Sequence, residues 1–326
     1  MQTTEVFIIL FTFSTALGQT CRECQIFKDV KRLKTANCYR RELVKVPRCH
    51  TSGIEVLDLS FNRLRDIQKD DFDSYPNIQV LYLSDNFIRE IHNESFMDKP
   101  YLEGLDLSSN AFYHIPISIF HLSQLKWLHL SNIANPGMVE QIEKAVPITS
   151  PLTYLDLTNN KLTRLPDLGE LPTLLHLNVS ENKNSVLVNI STFAGLCSLK
   201  VFANENFKGS FNDPCDCLYL NRWLIQRGVV FSNFSCENNF RGDCNGSIPQ
   251  EYINKYETCK KTFEEQQQTL FRHQVLKNTG IGIIVVMILI TALSTILYRS
   301  KRNKKRKMEE HEEQAKRRKF NDRNYD

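Results

Sequence analysis

Leu57-Asp58-Leu59-Ser60-Phe61-Asn62, Leu81-Tyr82-Leu83-Ser84-Asp85-Asn86 and Leu105-Asp106-Leu107-Ser108-Ser109-Asn110 follow one another at intervals of 24 residues, and the pattern returns as Leu155-Asp156-Leu157-Thr158-Asn159-Asn160. A fixed period of this length marks a solenoid, whose units are each too small to bury an apolar face alone and stack into one continuous core. Extending the pattern to LxxLxLxxNxLxxI places repeat starts at Ile54, Ile78, Leu102, Leu125, Leu152 and Leu174, with a degenerate seventh near Leu199. The spacings are 24, 24, 23, 27, 22 and 25 residues. Within each unit LxL predicts a short parallel strand, its two Leu inward and the residue between them outward. The Asn falls where the strand turns away, and its amide can satisfy backbone groups that would otherwise be buried unpaired. Asn62, Asn86, Asn110, Asn160 and Asn182 are therefore expected to hold structure rather than a ligand. Phe72, Phe96, Phe120 and Phe193 recur in the back halves of their repeats and predict a second row of core contacts.

Two apolar runs and ten cysteines bound the compartment. Val6 to Phe13 is almost wholly apolar and Ala16-Leu17-Gly18 supplies small residues for cleavage, so residues 1–18 predict a signal peptide, although its start carries Glu5 and no Lys or Arg. Gly280 to Tyr298 is a run of 19 uncharged residues. At ~1.5 Å per residue a helix there would be about 28 Å long, close to the ~30 Å hydrocarbon thickness of a bilayer. Arg299, Lys301, Arg302, Lys304, Lys305, Arg306 and Lys307 follow at once, the flank that fixes the inner side. The expected topology is single-pass type I in the plasma membrane, N-terminus outside. The tail 299–326 holds 12 basic and 6 acidic residues, a net of +6 in a chain of net +4, which leaves about −2 for the rest. The basic balance thus belongs to the tail, where anionic inner-leaflet lipid is the expected partner. Nucleic acid is excluded as a partner of the outer part.

Cysteines cluster at both ends of the repeats: Cys21, Cys24, Cys38 and Cys49 before them, then Cys215, Cys217, Cys236, Cys244 and Cys259 after them. Secretion favours disulfides here, and zinc at Cys21 and Cys24 lacks a matching His/Cys pair. The segment from Leu33 to Pro47 still fits the template with Cys38 in an inward slot, so the first cap is expected to be a modified repeat. In the second, Pro214-Cys215-Asp216-Cys217 with Arg222-Trp223-Leu224 suggests Cys215 with Cys236 and Cys217 with Cys259, leaving Cys244 to pair with Cys197 or stay free. Sequons lie at Asn93, Asn178, Asn189, Asn233 and Asn245, all between the cleavage site and the span, and predict a glycosylated outer domain.

Over residues 21 to 262 the chain resembles extracellular leucine-rich-repeat receptors, with an ectodomain like a much shortened Toll-like receptor. The LxxLxLxxN repeats and Asn212-Asp213-Pro214-Cys215-Asp216-Cys217 carry the resemblance. It implies an α/β leucine-rich-repeat solenoid, a horseshoe, with disulfide-rich N- and C-terminal caps and one transmembrane helix, binding a ligand through its curved ectodomain. The expected layout is signal peptide 1–18, N-terminal cap 19–53, repeats 54–211, C-terminal cap 212–262, stalk 263–279, span 280–298 and charged cytoplasmic tail 299–326. The 28 residues after the span are too few for a Toll/interleukin-1 receptor domain or a kinase. The layout is also similar to the auxiliary gamma subunits of large-conductance potassium channels, though the first cysteine cluster is spaced differently.

The strand face, expected to be concave, can be read from the sequence. The residue inside each LxL is Asp58, Tyr82, Asp106, His129, Asp156 or Asn178; the residue before it is Val56, Val80, Gly104, Trp127, Tyr154 or His176. Exposed rings beside carboxylates are the composition of an interface centre. Asp58, Tyr82, Asp106, Trp127, His129, Tyr154 and Asp156 are therefore the expected contact residues for an extracellular protein or other macromolecule bearing a basic patch. A glycan on Asn178 would push binding towards the first five repeats or an edge. The fourth repeat lacks the ladder Asn, having Ile133 instead, and its Asn135-Pro136-Gly137 insertion is expected to emerge as a surface loop. His129 and His176 come with no nucleophile, carboxylate pair or HExxH spacing, so neither catalysis nor a metal or cofactor is expected. The expected function is a cell-surface receptor or adhesion protein. The alternatives are an ion-channel auxiliary subunit acting through span and tail, and a decoy or co-receptor for Toll-like receptors; another membrane receptor or a channel would then be the partner.

Overall fold

The computed structural model describes residues 24–48, 53–133, 135–236, 244 and 246–322. The signal peptide, Cys21, Cys49 and Asn245 lie outside the described residues. The chain forms two compact units, Met1–Phe263 and Glu264–Asp326.

In the first unit Lys34–Asn37, Val56–Asp58, Val80–Tyr82, Gly104–Asp106, Trp127–His129, Tyr154–Asp156, His176–Asn178 and Val201–Ala203 are parallel strands that pair in that order. Their register aligns Ala36, Leu57, Leu81, Leu105, Leu128, Leu155, Leu177 and Phe202 in one inward column. None of the eight is more than 1% exposed, so the first cap and the degenerate seventh repeat are full turns of the same coil. Behind the sheet Phe72, Phe96, Phe120 and Phe193 are buried as the periodicity predicts, with Phe72 and Phe96 stacked 5.7 Å apart.

The ladder asparagines bind backbone in the way their position requires. Asn86 Nδ2 donates to the carbonyls of Leu59, Leu83 and Ser84, and its Oδ1 accepts the Leu64 N–H. Asn110 and Asn182 repeat the arrangement one and four turns on, and Asn62 makes it back to the cap through Cys38, Arg41 and Leu43. Just before the ladder position, Phe61, Asp85, Ser109, Asn132, Asn159, Glu181 and Asn206 all have φ between 51° and 62°. This left-handed step costs a non-glycine residue roughly 1 kcal/mol. It recurs in every turn because it aims the next amide inward.

Both ends of the sheet are closed. Gln25–Lys28 pairs antiparallel to Lys34–Asn37 with its own side chains exposed, and Cys24 bonds to the buried Cys38. A strand edge is thereby covered by a polar hairpin. At the other end Phe202 N donates to Val230 O and Val230 N to Lys200 O. Asn204 stands where earlier repeats have the second strand Leu; its amide exchanges hydrogen bonds with Ser232 in both directions, which is why a polar residue is tolerated in a core slot.

The insertion of the fourth repeat is not a free loop. Helix α1, Met138–Lys144, buries Met138, Val139 and Ile142 in the core. Buried Asn135 donates to Phe112 O and Tyr113 O, and Gln141 Oε1 accepts the Ile115 N–H, tying the insertion to the third repeat. Glu143 is held on the other side by the Arg164 guanidinium and the Asp167 N–H. The expected surface loop is thus corrected to a packed brace: the extra residues carry their own apolar side chains and bury them.

The cap pairing also differs from the expected one. A short helix α2, Ile190–Ala194, starts at Asn189, and α3, Pro214–Gln226, starts at Asp213, whose carboxylate accepts the Cys215 N–H. The bonds are Cys215–Cys244, Cys217–Cys236 and Cys197–Cys259. Cys217 faces Phe234, whose segment returns over α3 fastened by two hydrogen bonds to Asn221, and this brings Cys236 to it. Cys259 sits instead on α4, Gln250–Asp322, whose first turns lie on the last repeats through Lys255, bound to Ser191 O and Asp167, and Tyr256 against Trp223.

Residues 263–279 and 280–298 are helical within α4, which continues through the second unit. Most of its 73 residues are polar, and among the described residues no helix is long and apolar enough to cross a membrane. The side chains of Ile281, Ile283 and Val285 lie outside the described ones.

Replacing Asn86 by Ala strands the buried Leu64 N–H and takes one of two donors from the carbonyls of Leu59, Leu83 and Ser84, which keep Asn62 Nδ2, Asn110 Nδ2 and the Phe61 N–H. An unpaired buried group costs about 1–3 kcal/mol, and that is the loss expected in chemical denaturation, whereas Asp85→Asn, at the neighbouring left-handed position, leaves stability unchanged or slightly raised. The Cys197–Cys259 bond closes a separation of 62 residues, worth about 4 kcal/mol by chain entropy. C197S/C259S should lose on that order in thermal melts, and non-reduced peptide mapping of the wild type should recover the three cap bonds named above.

Candidate functional site

The strand face carries two side-chain columns set by the register. One runs Val56, Val80, Gly104, Trp127, Tyr154, His176; the other Asp58, Tyr82, Asp106, His129, Asp156, Asn178. The seven residues singled out in the sequence all fall on this face, where all but the buried Asp156 are partly exposed.

Across the two columns the rings form a continuous run. Tyr82 lies 5.8 Å from Trp127, Trp127 5.5 Å from His129, His129 4.9 Å from Tyr154 and Tyr154 4.7 Å from His176. The first of these contacts depends on Gly104. A Cβ there would fall 1.9 Å from the Trp127 ring, so the indole lies over bare backbone and reaches Tyr82 one repeat further on. His176 completes the run although the contact set read from the sequence stopped at Tyr154 and Asp156; its place at the head of the sixth LxL was the available signal. Burial lowers the pKa of His176, against the opposing pull of Asp156, so its ring favours the neutral form. Burial and then nearby carboxylates raise the Tyr82 and Tyr154 phenols, which stay protonated.

The acids have a second task. Asp58 Oδ1 accepts the Ser60 N–H, Asp106 Oδ1 the Ser108 N–H, Asp156 Oδ1 the Thr158 N–H, and Asn178 Oδ1 the Ser180 N–H. Each thus closes the turn that leaves its strand, an Asx turn built from Asp/Asn-x-Ser/Thr. Tyr82 and His129 occupy the same column without closing such a turn, so their rings are not needed for it. Asp156 differs again: Oδ2 meets His129 Nδ1 at 3.2 Å. Burial pushes its carboxyl up, but hydrogen bonds from His129 and Thr158 outweigh that and hold it below the usual carboxylate range. Lys126 pairs with Glu103 at 2.9 Å and Gln79 with Glu55 at 3.0 Å along the margin. Of the expected glycan acceptors, Asn93, Asn189 and Asn233 are exposed and Asn178 is partly exposed.

Trp127 and Trp223 are the two tryptophans of the chain. In a W223F background, Gly104→Ala should displace the Trp127 indole, giving a red-shifted emission and a loss of about 1–3 kcal/mol from overpacking; an unshifted spectrum would mean that the indole does not rest on Gly104.

Family models described as leucine rich repeat match residues 76–135 and 151–171. No curated protein matches the chain. Among solved structures the chain is similar to human 5T4, titled also Wnt-activated inhibitory factor 1 and trophoblast glycoprotein, with a TM-score of 0.52 and 24% identity over 66% of this chain and 80% of that one. The coil built on Leu57, Leu81, Leu105 and their counterparts is a leucine-rich-repeat solenoid with disulfide-bonded caps.

Proposed function

We propose that the chain is a cell-surface leucine-rich-repeat receptor or adhesion protein that binds a macromolecular partner through the strand face. The observation that carries the reading is the unbroken ring run from Tyr82 to His176, partly exposed and taking no part in the Asx turns that the acids of its column close. Aromatic anchors bury large area at low entropic cost, which is how few residues dominate an interface. The partner's basic groups are expected at Asp58 and Asp106, whose second carboxylate oxygens have no cation beside them among the described residues, rather than at Asp156, which His129 already serves. Resemblance to Toll-like receptor ectodomains, the four disulfides among the described residues and the sequons support an outer-surface location. On sequence alone, 280–298 is the tether and the basic residues after it meet anionic lipid.

The test is proximity labelling on intact cells with the full-length protein, a version lacking residues 54–211, and Y82A/W127A/Y154A. The expected result is that the triple variant, with an unchanged melting temperature, loses the same extracellular neighbours as the deletion. Labelling by the triple variant equal to wild type would overturn the strand face as the binding site.

A further inference from the structure

A second surface lies on the edge where the chain leaves the strands of the first three repeats. Here Arg89 N donates to Arg65 O at 2.7 Å and Tyr113 N to Arg89 O at 3.3 Å, so Arg65, Arg89 and Tyr113 stand side by side on successive turns. The parallel column two residues earlier runs Arg63, Phe87, Ala111, linked through Leu43, Leu64 and Ile88 in the same way. Phe61, at the left-handed step of the first repeat, packs instead against Tyr39 and under the Arg40 guanidinium. Phe87 and Tyr113 are 61% and 64% exposed. These are large values for aromatic side chains in a coil that buries Phe72, Phe96, Phe112 and Phe120.

Among the described residues neither Arg65 nor Arg89 has a carboxylate partner; the adjacent acids Asp66 and Glu90 form the next pair along the coil and make no ion pair with them. Arg63 is joined to Glu42 at 3.4 Å, both well exposed. Guanidinium forks that the protein itself leaves open match carboxylates in bidentate geometry. Arginine with exposed aromatics, and little lysine, is the composition of interface centres rather than of ordinary solvated surface. No sequon lies in the segment from Phe61 to Tyr113 except Asn93, which is in the back half of its repeat, where its main-chain carbonyl accepts from Ser118. The edge is therefore clear of expected glycans.

We infer that this edge is a second docking surface, separate from the strand face, for an acidic protein segment that carries carboxylates to Arg65 and Arg89 and apolar side chains to Phe87 and Tyr113. The exposed rings decide between this and a sulfated polysaccharide: a hydrated polyanion would use the guanidiniums and leave the Phe87 and Tyr113 side chains in water. Only a partner with apolar groups of its own recovers that area, at about 25 cal/mol per Å².

The probe is a soluble Glu/Tyr copolymer, compared with poly-Glu and heparin, binding to immobilised full-length protein in detergent at moderate salt. The expected result is copolymer binding at least tenfold tighter than poly-Glu, weakened tenfold or more by R65A/R89A and by F87S/Y113S with melting temperatures unchanged. Y82A/W127A/Y154A should leave copolymer binding intact, which separates this edge from the strand face whatever becomes of the latter. Heparin binding that exceeds the copolymer and ignores F87S/Y113S would overturn the protein partner in favour of a polyanion, and copolymer binding indifferent to R65A/R89A would overturn the edge.

Discussion

Backbone polarity is the constraint on which the rest of this solenoid depends. A coil with strands of three residues turns so often that carbonyls and N–H groups are repeatedly carried into the core without a sheet partner, and each left unpaired would cost about 1–3 kcal/mol. One asparagine in each regular turn except the fourth, where Ile133 stands in its place, meets the need because a primary amide offers two donors and an acceptor on a short stem. Its bonds run both to its own turn and to the previous one, so the ladder is at once intra-repeat and inter-repeat glue. The left-handed residue before it is the conformational cost of aiming that amide inward, and it is borne by Phe, Asp, Ser, Asn and Glu alike. Side-chain identity at that step is therefore free for use outside, which is how Phe61 comes to be exposed.

Period explains what was legible in the sequence. The strands, the inward column from Ala36 to Phe202, the ladder and the buried phenylalanines all repeat, and repetition turns one weak match into a register that fixes each residue's direction. What did not repeat was misread. Length alone marks the fourth-repeat insertion as a loop, whereas Met138, Val139 and Ile142 at helical spacing give it a face to bury. The cap disulfides depend on where α4 comes to rest, a tertiary fact with no trace in cysteine spacing; the chain separation of 62 between Cys197 and Cys259 exceeds anything the local motif suggests. In the strand face the columns were read correctly but not their depth. Gly104 puts no side chain into its column, and the Trp127 ring lying across it gives the gap a purpose.

The acidic column shows how one position can serve two ends. Asp58, Asp106 and Asp156 were read as surface charge, yet each spends an oxygen on its own turn. Their presence thus follows from the coil, and a partner is not needed to explain them. The rings are different: a phenol, an indole and imidazoles do nothing for the turns they stand in, and β-propensity alone does not ask for five of them in van der Waals succession. Function is better argued from residues that the fold does not require.

The same reasoning applies to Asn178. Asn-x-Ser is a glycosylation signal, and it is also the neutral form of the Asp-x-Ser/Thr turn found at three other places in this column, with the Asn178 Oδ1 bonded to Ser180 N–H as theirs are. The turn accounts for the residue without a sugar, while leaving Nδ2 for one. In register Asn178 neighbours Asp156, and His176 neighbours Tyr154, so a sugar there would stand over the C-terminal end of the ring run. Charge argues the same way, because Asp156 is already matched by His129 whereas Asp58 and Asp106 are not. Two independent features thus weight the face towards Tyr82 and Trp127, the pair that the bare backbone of Gly104 allows to meet.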